Sequence, residues 1–446
     1  MEFELAQESV ERVESEYNTS ENMKLLCKKL VSEGCVMLEN DGTLPVGNKK
    51  IALFGRCQIN TFYAGYGSGG DVKSPYKISI LDGLINHNAN LNQKLMDKYL
   101  EWTKDNKPNE GTWGNWPLCF DEMPISDSFV KEIKKDSDIA IVIIGRSAGE
   151  DRDILRKEGS WYLNEQEKEM LRIIRANFDK LCVLINSGSI MDVSEILEYK
   201  PNALMYIWQG GQEMGNGVAS VILGEISPSG KLTDTQAKIE DYPCNNNFGN
   251  PDYSIYEEDI YVGYRYFNTF KKDKIIYPFG YGLGYSKFKY KVLEITNDKS
   301  LVKGKISIKN VGSFKAKETI QLYISKPNNK LGNPSVELVW YKKTKELMPN
   351  EEEVLDVCFD LSEYASYDDT GSTGYINHFV LENGIYKVFA GFDSLNVSKV
   401  YEFSIDNLMV IRKTKEACAP TTVFKRMIND NGIKYEDVLL GSVNIK

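Results

Sequence analysis

From residue 21 to about residue 243, apolar runs of strand length alternate with runs of helical spacing, and that order leaves few folds open. "ENMKLLCKKLVSEGCVML" has helical spacing and precedes a short strand pattern in "KKIALFG". "NQKLMDKYLEWTKDN" and "SFVKEIKKDS" are helical, and residues 138–144, "DIAIVII", form the next strand. Helix "EQEKEMLRIIRANF" leads to strand "LCVLIN", helix "MDVSEILEY" to strand "NALMYIWQ", and helix "EMGNGVASVILG" closes the series. Strands alternating with helices of about 10–15 residues make βαβ units. The expected fold class is α/β: a mainly parallel sheet flanked by helices on both faces.

The texture changes near residue 285. "FKYKVLEITN", "VKGKISIKNVG", "ETIQLYISKP", "VELVWYKKTKEL", "EEVLDVCFDL" and "GIYKVFAGF" are short β-rich runs separated by Gly, Asn, Pro and Asp turns. That spacing predicts an antiparallel β-sandwich. The expected divisions are an N-terminal extension (1–21), an α/β domain (22–243), a Tyr/Gly-rich connector (244–284), a β-sandwich (285–405) and a tail (406–446).

Composition narrows the chemistry. There are two histidines, His87 and His378, each alone in polar sequence. A His-ligated metal site or a Ser-His-Asp triad is therefore disfavoured, and any catalysis must rest on carboxylates. No metal and no cofactor is expected. A net charge of −10 argues against nucleic acid or an anionic membrane as partner. No apolar run approaches the ~20 residues needed to span a bilayer, and the acidic N-terminus has no secretory pattern. The eight cysteines are scattered without a C-x-x-C pair, which reads as reduced thiols in a cytoplasmic protein. The 26 tyrosines and 6 tryptophans fit either stacking platforms or β-rich packing.

The strand at 138–144 empties into Gly145, Arg146, Ser147, Ala148, Gly149, Glu150, Asp151, Arg152 and Asp153. In open α/β sheets ligands sit at the carboxyl ends of the strands, so this loop is a candidate active-site edge. Glu150 lies between Gly149, which lets the backbone bend, and Asp151, an anion that would raise its pKa. That is how a carboxyl group stays protonated to act as a general acid. Arg152 could pair with Asp151 or Asp153 and hold the loop. Asp71, Asp153, Glu158 and Glu213 compete for the acid role, and pattern does not rank them. A solvated charge cluster is the plain alternative. "AGYGSGGD" (64–71) has neither a P-loop nor a dinucleotide pattern, so its glycines are read as a tight turn at a cleft wall.

Several segments, in order, carry a resemblance: "EGCVMLENDGTLPV" (33–46), "IALFGRCQINTFYAGYGSGGDV" (51–72), "IGRSAGEDRD", "EGSWYLNEQEKEML", "WQGGQEMGNGVASVILGEISPSGKLTDT" (208–235), "YVGYRYF" and "YPFGYGLGYSKF". The chain resembles the non-barrel half of a glycoside hydrolase family 3 enzyme of the β-glucosidase or β-xylosidase type. Its α/β part is similar to the C-terminal-type α/β sandwich, and residues 285–405 to the fibronectin type III-like domain that follows. The resemblance implies a retaining hydrolase in which an aspartate nucleophile attacks the anomeric carbon and a glutamate serves as acid, then base. By match to the family's S/A-G-E loop, the acid/base falls on Glu150. Arg56, Asp151, Arg152 and Tyr162 are candidate substrate-side or supporting groups. Trp113 and Trp116, in "NEGTWGNWPLCFDEMP", are candidates for an aromatic sugar platform, with interface or core packing as the alternative.

The family's nucleophile lies in a (β/α)8 barrel of roughly 200–250 residues, and neither residues 1–21 nor residues 406–446 hold one. The "RSAGEDRD" loop resembles members of permuted order, in which the barrel comes last. The expected partners are therefore an oligosaccharide or aryl glycoside substrate and a barrel domain or subunit carrying the nucleophile. The rival reading is a noncatalytic carbohydrate-binding or assembly subunit.

Overall fold

The structure is a computed structural model and describes residues 20–67, 70, 74–112, 114–150, 153–243, 252–417 and 419–438. It divides into two compact units: residues 1–230 with 282–285, and residues 231–281 with 286–446.

The first unit contains, in order, α1 (Glu21–Gly34), β1 (Val36–Asn40), β2 (Ile51–Phe54), α2 (Ile80–Asn86), α3 (Gln93–Asp105), α4 (Asp127–Lys134), β3 (Ile139–Arg146), α5 (Glu165–Asn177), β4 (Leu181–Ser187), α6 (Ser194–Glu198), β5 (Ala203–Tyr206) and α7 (Met214–Leu223). Its sheet has the order β1-β5-β4-β3-β2, with β2 to β5 parallel and β1 antiparallel at one edge. Every residue of β3 is buried, as a parallel strand covered on both faces requires. Ile139, Ile141 and Ile143 pack in one cluster with Leu81, Leu84, Val218 and Ile222 from α2 and α7. Helix α5 starts at a reciprocal cap: Asn164 accepts from the Glu167 amide while the Glu167 carboxylate accepts from the Asn164 amide.

Two local expectations change. The helical pattern read through Leu38 stops at Gly34, and "VMLEN" becomes β1, with Val36 opposite Tyr206. Gly34 is a weak helix former, and an open sheet edge supplies hydrogen-bond partners that helical spacing cannot register. Residues 80–86, not read as a helix from periodicity, form α2 on a Ser79 cap. At seven residues the element is too short to display a helical period.

The second unit holds α8 (Tyr264–Phe270) and a run of strands: β6 (Phe288–Asp298), β7 (Leu301–Asn310), β8 (Thr319–Ser325), β9 (Glu337–Lys343), β10 (Glu352–Asp360), β11 (Ser366–Asp368), β12 (His378–Leu381), β13 (Gly384–Gly391), β14 (Val397–Ile405), β15 (Met409–Lys413), β16 (Lys425–Asn429) and β17 (Ile433–Asp437). The antiparallel sheets β10-β7-β6 and β14-β13-β8-β9 contribute to one core that includes Ile306, Leu322, Leu355 and Val388. Strand β15 pairs with β12, and β16 with β17 as a hairpin. The expected class, an α/β sheet with helices followed by antiparallel β-structure, is what the molecule has. Among the described residues no helix is long and apolar enough to cross a membrane.

Candidate active site

The site forms where β3 leaves the sheet. Ser147 donates its amide to Leu118 O (2.9 Å), and its hydroxyl also reaches Leu118 O (3.1 Å). Three residues on, the chain meets the glycine-rich stretch that follows β2. Tyr66 donates its amide to Ala148 O at 2.7 Å, and the Glu150 amide donates to Tyr66 O at 3.0 Å, a short parallel bridge.

Glycine makes this contact possible. Gly149 has φ +130°, and a Cβ there would lie 2.3 Å from the Tyr66 backbone N and O. Gly67 has φ +96°, and a Cβ there would lie 2.2 Å from Glu150 Cβ and 2.8 Å from its Oε2. The Glu150 side chain thus lies over Gly67, on an exposed loop at the carboxyl edge of the sheet. Gly65, where a Cβ would lie 3.1 Å from Ala148 O, and Gly67 serve this close approach.

Beside the bridge lies an open cleft of about 650 Å³, lined by Tyr63, Tyr66, Gly67, Glu110, Trp116 and Phe120 among others. Tyr66 and Trp116 stack with centroids 5.2 Å apart and planes 13° from parallel. Phe62 and Phe120, which also line the cleft, stack at 4.5 Å. The loops are tied by Asn186, a fully buried amide at the end of β4. Its Oδ1 accepts from the Phe62 amide (2.8 Å), and its Nδ2 donates to Phe62 O (2.9 Å) and Trp208 O (2.6 Å).

Among the sequence-derived candidates, Glu150 and Trp116 both meet Tyr66, Glu150 through its amide and Trp116 by stacking; Trp116 lines the cleft, and Glu150 is not among its lining residues. Arg56 lines no part of the cleft. It is buried, with Nε donating to Asn60 Oδ1 (3.3 Å), the guanidinium donating to Asp121 O (3.1 Å) and to Asn106 O, and its plane 4.5 Å over Trp102. Tyr162 is half-buried and also outside the cleft lining; its carbonyl accepts from Arg146 (3.0 Å). Trp113, Asp151, Arg152 and the competing acid Asp71 lie outside the described residues. Of the other acids, Asp153 is exposed and Glu158 pairs with Lys168 (3.1 Å). Glu213 is buried against the Tyr76 hydroxyl and Asn216 (2.7 Å).

Sequence reasoning passed over Tyr66, Asn186 and Arg146. The available signal was a polar residue at the end of an apolar strand, as Asn186 and Ser187 end β4 and Arg146 ends β3. It also passed over Glu122, a buried carboxyl whose pKa burial pushes up to about 8; the nearby Glu167 adds to the rise, and its hydrogen bond from the Arg56 amide (2.7 Å) opposes it. Among the described residues no group of three or more His, Cys, Asp or Glu side chains is disposed to hold a metal ion.

Residues 35–285 match the family description "Glycosyl hydrolase family 3 C-terminal domain", and residues 318–394 match "Fibronectin type III-like domain". A β-glucosidase of Ruminococcus albus is 44% identical over 418 residues, covering 93% of this chain and 44% of the relative. β-Glucosidase A of Butyrivibrio fibrisolvens is 31% identical over 94% of this chain and 55% of its own length. The crystal structure of a β-glucosidase from Paenibacillus barengoltzii superposes with a TM-score of 0.92 at 39% identity, over 96% of this chain and 49% of that one. The chain spans about half the length of the curated relatives it matches.

Proposed function

This chain belongs to glycosyl hydrolase family 3, and from that premise we propose that it supplies the acid/base carboxylate of a retaining β-glucosidase-type hydrolase. Its substrates are β-linked gluco- or xylo-oligosaccharides or aryl β-glycosides. A (β/α)8 barrel, as a further domain or a separate subunit, carries the aspartate nucleophile. The α/β sandwich is residues 22–243 and the fibronectin type III-like domain residues 285–405, joined by a connector. The six cysteines among the described residues are free thiols, which belong with a cytoplasmic location.

Glu150 is the proton donor. In the first step the nucleophile bonds to the anomeric carbon, the glycosidic C–O bond breaks, and the Glu150 carboxyl proton passes to the departing oxygen. In the second, the Glu150 carboxylate takes a proton from water as its oxygen attacks the same carbon and the nucleophile leaves. The observation that carries this reading is the bridge between Glu150 and Tyr66: it sets a carboxyl group over Gly67, beside a stacked aromatic wall. We assign Trp116 and Trp113 to an aromatic sugar platform, and Arg56, Asp151, Arg152 and Tyr162 to supporting or substrate-side roles.

A retaining pair of carboxyl groups stands about 5–5.5 Å apart across one sugar. The 446-residue chain alone is therefore expected to hydrolyse an aryl β-glucoside no faster than buffer, and to become active when completed by a matching barrel. In that enzyme Glu150→Ala should slow poor leaving groups by about 10²–10⁴ and good ones far less, with partial rescue by azide. Equal losses for every leaving group without rescue would move the acid/base role elsewhere, with Glu158 next. Robust turnover by the chain alone would end the two-domain division. The second reading, a noncatalytic carbohydrate-binding or assembly subunit, is favoured by the preformed Tyr66–Trp116 platform; sugar binding without turnover in any mixture would select it.

A further inference from the structure

We infer that Arg146 and Glu167 form a clamp that positions the acid-bearing loop, making both positioning residues for Glu150; the inference rests on Glu150 being the acid/base. Arg146 is the last residue of β3, four positions before Glu150, and its side chain is fully buried. Glu167 lies in the first turn of α5, as its third residue, and is equally buried. Together they tie Gly145 to Ser160 and Tyr162.

The guanidinium has five N–H groups, and the structure assigns an acceptor to each. Nε donates to Ser160 O (2.9 Å), Nη1 to Gly145 O (2.8 Å) and Glu167 Oε1 (2.5 Å), and Nη2 to Tyr162 O (3.0 Å) and Glu167 Oε2 (2.7 Å). One Glu167 oxygen also accepts from the Asn164 amide at 2.9 Å. Three elements converge here: the outgoing limb at Gly145, the returning limb at Ser160 and Tyr162, and the first turn of α5.

Stability alone does not require such a pair. Two apolar side chains of similar volume are often as stable as a buried ion pair, because they avoid desolvating two charges. What an apolar pair cannot do is hold carbonyls of two loop limbs at set directions, which a planar guanidinium does. The next residue, Ser147, is bound to Leu118 O, two positions past Trp116. The clamp therefore fixes where the Glu150 loop departs and, through Ser147, where the aromatic wall stands.

The test uses the whole 446-residue chain and compares wild type, Glu167→Gln and the apolar double variant Arg146→Met/Glu167→Leu by hydrogen–deuterium exchange. Losing the fork should speed exchange of the Ser147, Glu150 and Tyr66 amides about tenfold or more. Amides in the middle of β4 should change little. The double variant avoids an unpaired buried charge, so it keeps the test decisive if Glu167→Gln does not fold. Unchanged exchange at those three amides in a folded double variant, or a rise shared equally by the β4 core, would overturn the clamp. In the barrel-completed enzyme the double variant should lower kcat for poor leaving groups more than for good ones at similar KM. Equal losses would show a merely structural pair. Exchange is read without turnover, so a silent Glu150→Ala would remove the acid/base reading while the clamp is still decided.

Discussion

Two arginine–glutamate neighbourhoods stand behind the site, at the ends of adjacent strands, and they are built in opposite ways. After β3, the Arg146 fork grips both oxygens of Glu167. Burial works against the Arg146 charge, yet the Glu167 carboxylate holds the guanidinium above its ordinary range. After β2, the Arg56 guanidinium turns to backbone carbonyls and the Trp102 face instead, and burial lowers its pKa. Glu122 receives the backbone amide of Arg56 rather than its fork, and rises to about 8. The same two residue types thus give a two-pronged ion pair in one place and a carboxyl group with a raised pKa in the other. Geometry, not composition, sets the protonation state.

The largest expected effect tests this contrast directly. Arg146→Met alone leaves Glu167 buried without its counter-charge and should cost about 3–5 kcal/mol in urea unfolding. Arg56→Met should cost about 2 kcal/mol, through lost hydrogen bonds and cation–π contact. Equal losses would erase the distinction. Next comes pH. Folded Glu122 keeps its proton to about pH 8, whereas in the unfolded chain it ionises near 4.5. Between those values the native state binds more protons, so its stability should fall as pH rises and level off above about 8. Glu122→Gln should flatten this part of the profile; an unchanged slope would place the proton on another group. Smaller again, Gly149→Ala should cost about 1–3 kcal/mol in thermal unfolding, since its φ of +130° and the Tyr66 backbone both resist a side chain. The smallest is Glu158→Gln. Its pair with Lys168 is exposed, so a stability change beyond about 0.5 kcal/mol would be unexpected.

Much of the fold was legible because burial writes itself locally. The run from Ile139 to Ile144 is apolar on both faces and is a fully buried interior strand. The burial alternation of β10, with Leu355, Val357 and Phe359 inward, is that of a half-buried antiparallel strand. β1 was not legible, since its state depends on pairing with β5 about 170 residues away, beyond any local window. The site was half legible: Glu150 and Trp116 stood out as a loop acid and an aromatic. Tyr66, which links them, lay inside a glycine-rich stretch whose purpose appears only when Gly149 closes on it.

By itself the sequence determined the order of strands and helices, the change to β-rich texture, and an acid-bearing loop at the end of a buried strand. These follow from the side-chain periods of 2 and 3.6 residues, which act over a few neighbours. Only the tertiary structure decided that Arg146 meets Glu167, 21 positions on, while Glu122, 66 positions from Arg56, meets its amide and not its fork. Such pairings depend on distances and directions inside a low-dielectric core, where a small displacement separates a shared charge from a retained proton. No periodicity in the chain encodes that displacement; it is set when the loops close over the sheet edge.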